Sequence, residues 1–92
     1  MENKGIGQAG SLESNDLMVT VNLMVREDLD IELESIVKEK FGKQILKVVN
    51  ETLEEMNVTK GHIKIVDKGA LDFAVRARVK TAVRRAMGRE IG

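Results

Sequence analysis

The chain has 92 residues, of which 42% are hydrophobic and 33% charged, and its acidic and basic residues balance to a net charge of zero. This length suits one compact domain, and the neutral total argues against a nucleic-acid-binding protein of strongly basic character. Cysteine is absent, which excludes disulfides and thiolate metal sites and means that the polypeptide cannot itself form a thioester. The sequence shows neither a signal peptide nor an apolar run of about 20 residues, so we expect a cytoplasmic protein without membrane contact.

Charge is distributed unevenly along this neutral chain. Residues 1–59 contain 12 acidic and 6 basic residues, whereas residues 60–92 contain 3 acidic and 9 basic residues. The two parts therefore carry charges of −6 and +6. They could attract each other within one fold, or the basic part could meet an anion or an acidic partner.

The first residues show no periodic pattern. Residues 1–8 contain Gly5 and Gly7, which weaken local order. We therefore predict a flexible N-terminal arm at residues 1–8 and a single domain over residues 9–92.

Three short strands are predicted at the start of this domain. Residues 9–13 can form a strand, and residues 14–16 (Ser-Asn-Asp) predict a turn because Asn and Asp tolerate left-handed backbone. Residues 17–25 alternate between two faces. Residues 29–34 alternate between apolar and acidic side chains, which is typical of a strand with one solvated face.

The second half of the domain predicts two helices separated by a strand. Apolar residues recur at three- and four-residue steps over 35–56, with Ser35 as a candidate cap, and a close backbone contact would explain Gly42. Residues 62–66 predict a strand, and 70–87 predict a second helix. The predicted apolar stripes include Phe41 in the first helix and Leu71 in the second.

The resulting order is β-β-β-α-β-α. It predicts a small α+β domain with a mostly antiparallel sheet and two helices packed on one face.

Few residues could carry out catalysis. A serine nucleophile such as Ser14 needs a nearby base, and nothing in the sequence connects the single histidine, His62, with it. We expect His62 to be a surface or strand-end residue, and no metal site is predicted. The acidic row of the third strand could bind a hard cation, although a solvated face is the simpler interpretation.

The second helix carries a basic stripe. Arg76, Lys80 and Arg84 are spaced by four residues, and Arg78 and Arg85 widen the stripe. Such a surface can bind phosphate or an acidic protein surface. The lack of aromatic residues for base stacking argues against nucleic acid.

Two separated motifs resemble one known family. Residues 10–16 (GSLESND) resemble the attachment motif of the citrate lyase acyl carrier proteins, the gamma subunits. Residues 67–72 (DKGALD), followed by 76–78 (RAR), resemble the second signature of this family. The resemblance covers about residues 8–88, and Asn15 stands where some relatives are expected to have glycine.

The resemblance implies a carrier without catalysis of its own. Ser14 would be joined through a phosphodiester to phosphoribosyl-dephospho-coenzyme A by a separate prosthetic-group transferase. The thiol of this group would carry an acetyl group, which the alpha subunit exchanges for a citryl group. The beta subunit would then cleave the citryl thioester, which releases oxaloacetate and regenerates the acetyl form. The net reaction would be the cleavage of citrate to acetate and oxaloacetate. Lys68, Arg76, Arg78 and Lys80 are candidate contacts for the phosphates or for the larger subunits.

Two alternatives remain open at this point. The delta-type acyl carrier of malonate decarboxylase bears a similar group, and the motif around Ser14 separates the two only modestly. A small assembly or nucleic-acid-binding module that uses the basic helix would instead leave Ser14 unmodified and show salt-sensitive binding.

Overall fold

The computed structural model describes residues 5–25 and 27–88. Within these residues, the element order is the predicted β-β-β-α-β-α, which is confirmed. The elements are β1 (Ile6–Gly10), β2 (Leu17–Asn22), β3 (Leu29–Ser35), α1 (Lys38–Glu55), β4 (Gly61–Asp67) and α2 (Asp72–Ala86).

The four described strands form one mixed sheet in the order β1-β2-β4-β3. The pairs β1–β2 and β2–β4 are antiparallel, and β3–β4 is parallel. A parallel pair needs a long crossover between its strands, and α1 provides it. The sheet is therefore mostly antiparallel, as predicted.

One face of the sheet is buried and the other is open. Val19 and Val21 of β2 lie beside Ile63 and Ile65 of β4 on the buried face, and all four are inaccessible to solvent. Both helices pack on this face. The fully buried apolar residues in the described ranges are all Ala, Val, Leu or Ile, so the core contains no aromatic ring.

The first strand begins earlier than predicted. β1 spans Ile6–Gly10, so residues 6–8 belong to the sheet rather than to a flexible arm, while residues 1–4 lie outside the described residues. The sequence prediction was wrong here because Gly7 looks like a breaker. In the structure, β1 packs so closely on α2 that a Cβ atom at Gly7 would overlap the backbone of Ala82 and Ala86.

Other boundaries also shift. β2 ends at Asn22 rather than at residue 25, and α1 begins at Lys38 with Val37 as its N-cap rather than Ser35. Ser35 is the last residue of β3, and its hydroxyl accepts a hydrogen bond from the Val37 N–H at 3.1 Å. The hydroxyl thus supports the strand-to-helix turn without capping the helix.

Two residues assigned to the apolar stripes are exposed instead. Phe41 and Leu71 are 49% and 65% accessible to solvent, because both lie at the end of the domain where the helices begin and no other element covers them. In the described part of the chain, neither helix is both long and apolar enough to cross a membrane.

Candidate functional site at the serine turn

The turn between β1 and β2, residues 11–16, presents Ser14 at its tip and is called the serine turn below. Ser14 is exposed, and its hydroxyl forms no hydrogen bond within residues 5–25 and 27–88. Asn15 has φ of 67°, the left-handed conformation that its side chain tolerates, and the Asp16 N–H donates to the Glu13 carbonyl at 3.2 Å. The hydroxyl is therefore free for a covalent link.

The carboxylate of Asp16 organises this turn. It accepts hydrogen bonds from the Ser11 hydroxyl and from the Leu17 N–H, each at 2.7 Å. The Ser11 oxygen in turn accepts from the Glu13 N–H at 3.3 Å. The turn conformation thus depends on polar contacts on both sides of Ser14 and not on packing of Ser14 itself.

Arg78 of α2 completes the contacts of this carboxylate. Its Nε donates to Asp16 Oδ1 at 3.1 Å and its Nη2 to Oδ2 at 2.9 Å, which is the two-pronged geometry of a strong guanidinium–carboxylate pair. Hydrogen bonds from Arg78, then from Ser11 and the Leu17 N–H, lower the pKa of Asp16 from 3.8 to about 2. Asp16 is thus held as an anion.

A second carboxylate fixes the loop on which the serine turn rests. Asp67 is buried and accepts hydrogen bonds from the Ser35 hydroxyl at 2.8 Å, from the Gly69 N–H at 3.1 Å and from the Ala70 N–H at 2.9 Å. This shapes residues 67–70 into a tight loop ahead of α2.

The serine turn is hydrogen-bonded to this loop through the backbone. The Asn15 N–H donates to the Lys68 carbonyl at 2.8 Å, and the Lys68 N–H donates to the Asp16 carbonyl at 2.9 Å. The two motifs singled out in the sequence, residues 10–16 and 67–72, therefore form one structural unit.

Of the four basic candidates, the structure brings two to the serine turn. Lys68 and Arg78 contact it through the bonds described above. Arg76 instead lies 3.7 Å from Glu51 and 3.8 Å from Glu55 of α1, and Lys80 lies 3.6 Å from Glu55. The basic stripe is thus partly neutralised by α1, which supports the interpretation that opposite charges meet within one fold.

The single histidine lies away from Ser14. His62 pairs with Asn22, at the opposite end of β2 from the serine turn, and its Nε2 is 3.6 Å from Asp30 and 3.2 Å from Glu32. It therefore cannot act as a base for the Ser14 hydroxyl. Across residues 5–25 and 27–88, no cluster of three or more potential metal-ligating side chains is present.

Sequence reasoning missed an open cleft beside the serine turn. Six of the residues that line this turn cleft are Asn15, Asp16, Leu71, Phe73, Ala74 and Arg78. Phe73 is 72% exposed. Its position off the apolar stripe of the second helix was the available signal, since a phenylalanine outside the stripe has no place in the core.

The chain matches a family model over almost its whole length, and its fold is found in a solved structure. A family model described as malonate decarboxylase delta subunit (MdcD) matches residues 4–86. A Pseudomonas malonate decarboxylase hetero-tetramer solved in complex with malonate contains a chain with a similar fold, with a TM-score of 0.70, 17% identity, and coverage of 91% of this chain and 86% of that chain.

Several citrate lyase acyl carrier proteins have a much higher sequence identity to this chain than the solved structure has. The citrate lyase acyl carrier protein of Streptococcus mutans is 47% identical over 99% of this chain and 89% of its own length. The citrate lyase acyl carrier protein of Fusobacterium nucleatum is 46% identical over 90% of this chain and 88% of its own length. The chain belongs to this acyl carrier family, together with the citrate lyase acyl carrier proteins.

Proposed function

We propose that this protein is the acyl carrier subunit of a citrate lyase, with its prosthetic group attached to Ser14. The observation that carries the proposal is an exposed serine hydroxyl on a turn that other residues hold in place, in a chain whose relatives are named citrate lyase acyl carrier proteins. The carrier acts in the cytoplasm with alpha and beta subunits, which perform the acyl exchange and the cleavage.

The residues of the serine turn fit a group linked through a phosphodiester. The Ser14 oxygen can be substituted without loss of a buried contact, because the residue is exposed and its hydroxyl makes no hydrogen bond within residues 5–25 and 27–88. The bond network around Asp16 uses Ser11 and Arg78, so it survives the modification of Ser14. Lys68 is bonded to the turn through its backbone and Arg78 through its guanidinium, and these are the cations proposed to balance phosphate charge.

The group proposed is phosphoribosyl-dephospho-coenzyme A, which supplies the thiol that this cysteine-free chain lacks. The chain itself positions the attachment point and adds no catalytic residue. Tethering raises the local concentration of the carried acyl group at each active site to the mM range for a flexible link. A turn at the edge of the fold suits this task because it can approach two different subunits.

The test is the mass of the protein after loading by the transferase. We expect an addition of one prosthetic group to the wild type and none to Ser14→Ala, whose fold should be unchanged because the hydroxyl supports no packing. Thr59→Ala is the matched control, because it removes an exposed hydroxyl outside the serine turn and should leave loading unchanged. Fragmentation that places the group on a residue other than Ser14 would contradict the proposal.

The description of the matching family model favours a second candidate, the delta-type carrier of malonate decarboxylase. Copurification decides between the two. The loaded protein should copurify with citrate lyase alpha and beta subunits and support cleavage of citrate. Support of malonate decarboxylation instead would establish the second candidate.

A further inference from the structure

Both phenylalanines of the chain are exposed near the serine turn. Phe41 of α1 is 49% accessible and Phe73 of α2 is 72% accessible, although the core accepts many smaller apolar side chains. Phe41 lines a groove between the two helices, and Phe73 lines the turn cleft. The groove and the cleft share Gly69 and Leu71, so they adjoin each other. Exposed aromatic rings at one end of a small domain indicate contact with a ligand or a partner.

The turn cleft lies beside the residue to which the group would be attached. Asn15 and Asp16, the two residues that follow Ser14, line it. Leu71, Phe73 and Ala74 supply its apolar surface. A substituent on the Ser14 oxygen therefore has this cleft within reach, one residue away along the chain.

The charge in the cleft suits a nucleotide. Arg78 binds Asp16 through Nε and Nη2, which uses only part of the five N–H donors of a guanidinium. The remaining donors can meet a phosphate, while Arg78 neutralises the Asp16 carboxylate that would otherwise repel it. The exposed ring of Phe73 offers a flat surface on which a base can stack.

We propose that the turn cleft seats the adenosine of the prosthetic group on Ser14, with the base on Phe73 and the nearby phosphate on Arg78. This inference rests on the function proposed above. In a phosphoribosyl-dephospho-coenzyme A group attached through its phosphoribosyl phosphate, the adenosine lies close to the serine and the thiol lies at the far end. The turn cleft therefore binds the adenine base, while the thiol-bearing end of the prosthetic group remains free to reach the partner subunits. A weak contact suffices, because the tether keeps the base at high local concentration.

The test compares the NMR spectra of the unmodified and the loaded protein. We expect loading to shift the amide signals of residues 71–78 as well as those of the serine turn, to move the ring signals of Phe73, and to give a cross-relaxation contact between adenine and Phe73. The ring signals of Phe41 should stay unchanged. This comparison uses the wild type, so it does not depend on the loading of any variant.

Two matched variants locate the contact. Loaded Phe73→Ala should lose the shifts at residues 71–78, whereas loaded Phe41→Ala should retain them. Both rings are exposed, so both unmodified variants should have the melting temperature of the wild type.

The outcomes separate this inference from the function on which it rests. If Ser14 is loaded but the changes in amide chemical shift are confined to residues 11–16, adenosine binding in the turn cleft is contradicted and the carrier function is not. Shifts at Phe73 that appear only when the alpha or beta subunit is added would also contradict adenosine binding, because the cleft would then be a docking surface for that partner. Absence of any mass addition on Ser14 would overturn both proposals.

Discussion

Asp16 is the residue on which the conformation of the serine turn depends. Its side chain is 19% exposed and binds the Ser11 hydroxyl, the Leu17 N–H and the guanidinium of Arg78. Because these donors favour the charged form, the pKa in the folded protein, about 2, lies below the ordinary value of 3.8. At pH values between these two pKa values, the folded state therefore binds fewer protons than the unfolded state.

A definite pH dependence follows from Asp16. Its contribution to stability should be complete above about pH 4 and should be lost as the pH falls through about 2, because the unfolded state then gains the proton that the folded state resists. With Arg78 partly exposed and screened by water, we expect this contribution to be on the order of 1 kcal/mol. Urea unfolding of the wild type and of Asp16→Asn at pH 6, 4 and 2 measures it.

The difference in the free energy of unfolding between the wild type and Asp16→Asn should shrink toward pH 2, because the other carboxylates titrate equally in both proteins. Arg78→Gln should cost a similar amount, and the double variant should cost less than the sum. A difference between Asp16→Asn and the wild type that is constant from pH 6 to pH 2 would contradict the role of the Asp16 charge.

The turn chemistry at the residue scale was visible in the sequence, but its tertiary partner was not. Asn15 and Asp16 predict a turn from their local preferences, and the left-handed φ of Asn15 agrees with them. Arg78 lies 62 residues further along the chain, and sequence spacing within α2 placed it only on a basic surface. Side-chain pairing between distant elements depends on how the helix sits on the sheet, which local patterns do not specify.

At the scale of elements, the close approach of β1 to α2 provides a sharp test. A methyl group at Gly7 would overlap the backbone of Ala82 and Ala86, and backbone cannot move aside cheaply. Gly7→Ala should therefore lower the free energy of unfolding by about 1–3 kcal/mol, the usual cost of overpacking. The denaturant midpoint measures the loss.

Gly42→Ala is the control for this substitution. A Cβ atom at Gly42 would meet the flexible Lys38 Cγ at 3.2 Å and Leu33 Cδ2 at 3.9 Å. The expectation that a close backbone contact explains this glycine was wrong, because no backbone of another element comes near. Gly42→Ala should be neutral or stabilising by up to about 1 kcal/mol, since alanine favours a helix. Equal destabilisation by the two substitutions would contradict this account of the β1–α2 contact.

Periodicity predicted the kind and order of the elements, but strand pairing needed the structure. The alternation in β2 correctly assigned its buried face, and in β3 it separates buried Leu33 from exposed Glu32 and Glu34. The alternation does not indicate which strands pair with each other, so it could not reveal that β3 pairs with β4 in parallel at the edge of the sheet. The start of β1 was missed because Gly7 reads as a breaker locally, whereas contact with α2 requires it.

Across the whole molecule, opposite charges meet between the two helices. Arg76 and Lys80 face Glu51 and Glu55 at 3.6 to 3.8 Å, and such exposed pairs contribute about 0–1 kcal/mol each. Reversal of Arg76 and Lys80 to glutamate would set four acids side by side. We expect it to lower the denaturant midpoint and to weaken loading or assembly, with the stability loss largest at low salt.

A second pair of substitutions shows whether the reversal of Arg76 and Lys80 affects stability, binding of the partner subunits, or both. Conversion of Glu51 and Glu55 to lysine in the reversed chain restores the pairs with opposite signs, so stability should recover. The α2 surface would still lack its positive charge. We expect copurification with alpha and beta subunits to remain weak, and full recovery of copurification would contradict a role for Arg76 and Lys80 in assembly.

The composition correctly indicated one domain with an aliphatic core, but not where its aromatic residues lie. Phe41 falls on the apolar stripe of α1 and was expected inside, yet the stripe runs beyond the end of the sheet that could cover it. How far a stripe is covered depends on the relative lengths of helix and sheet. The exposed position of Phe41 in the groove between the helices could therefore be found only in the structure.

The Gly5 N–H donates to the Ala86 carbonyl at 2.8 Å, so the two ends of the described fold touch each other. β1 and α2 both lead from this junction to the serine turn at the opposite pole of the domain. Insertions or labels placed at Gly5 or after Ala86 would therefore join the described fold at the pole opposite Ser14. The same proximity favours circular permutation of the described fold, with a short peptide joining Gly5 to the end of α2 and new ends opened between α1 and β4.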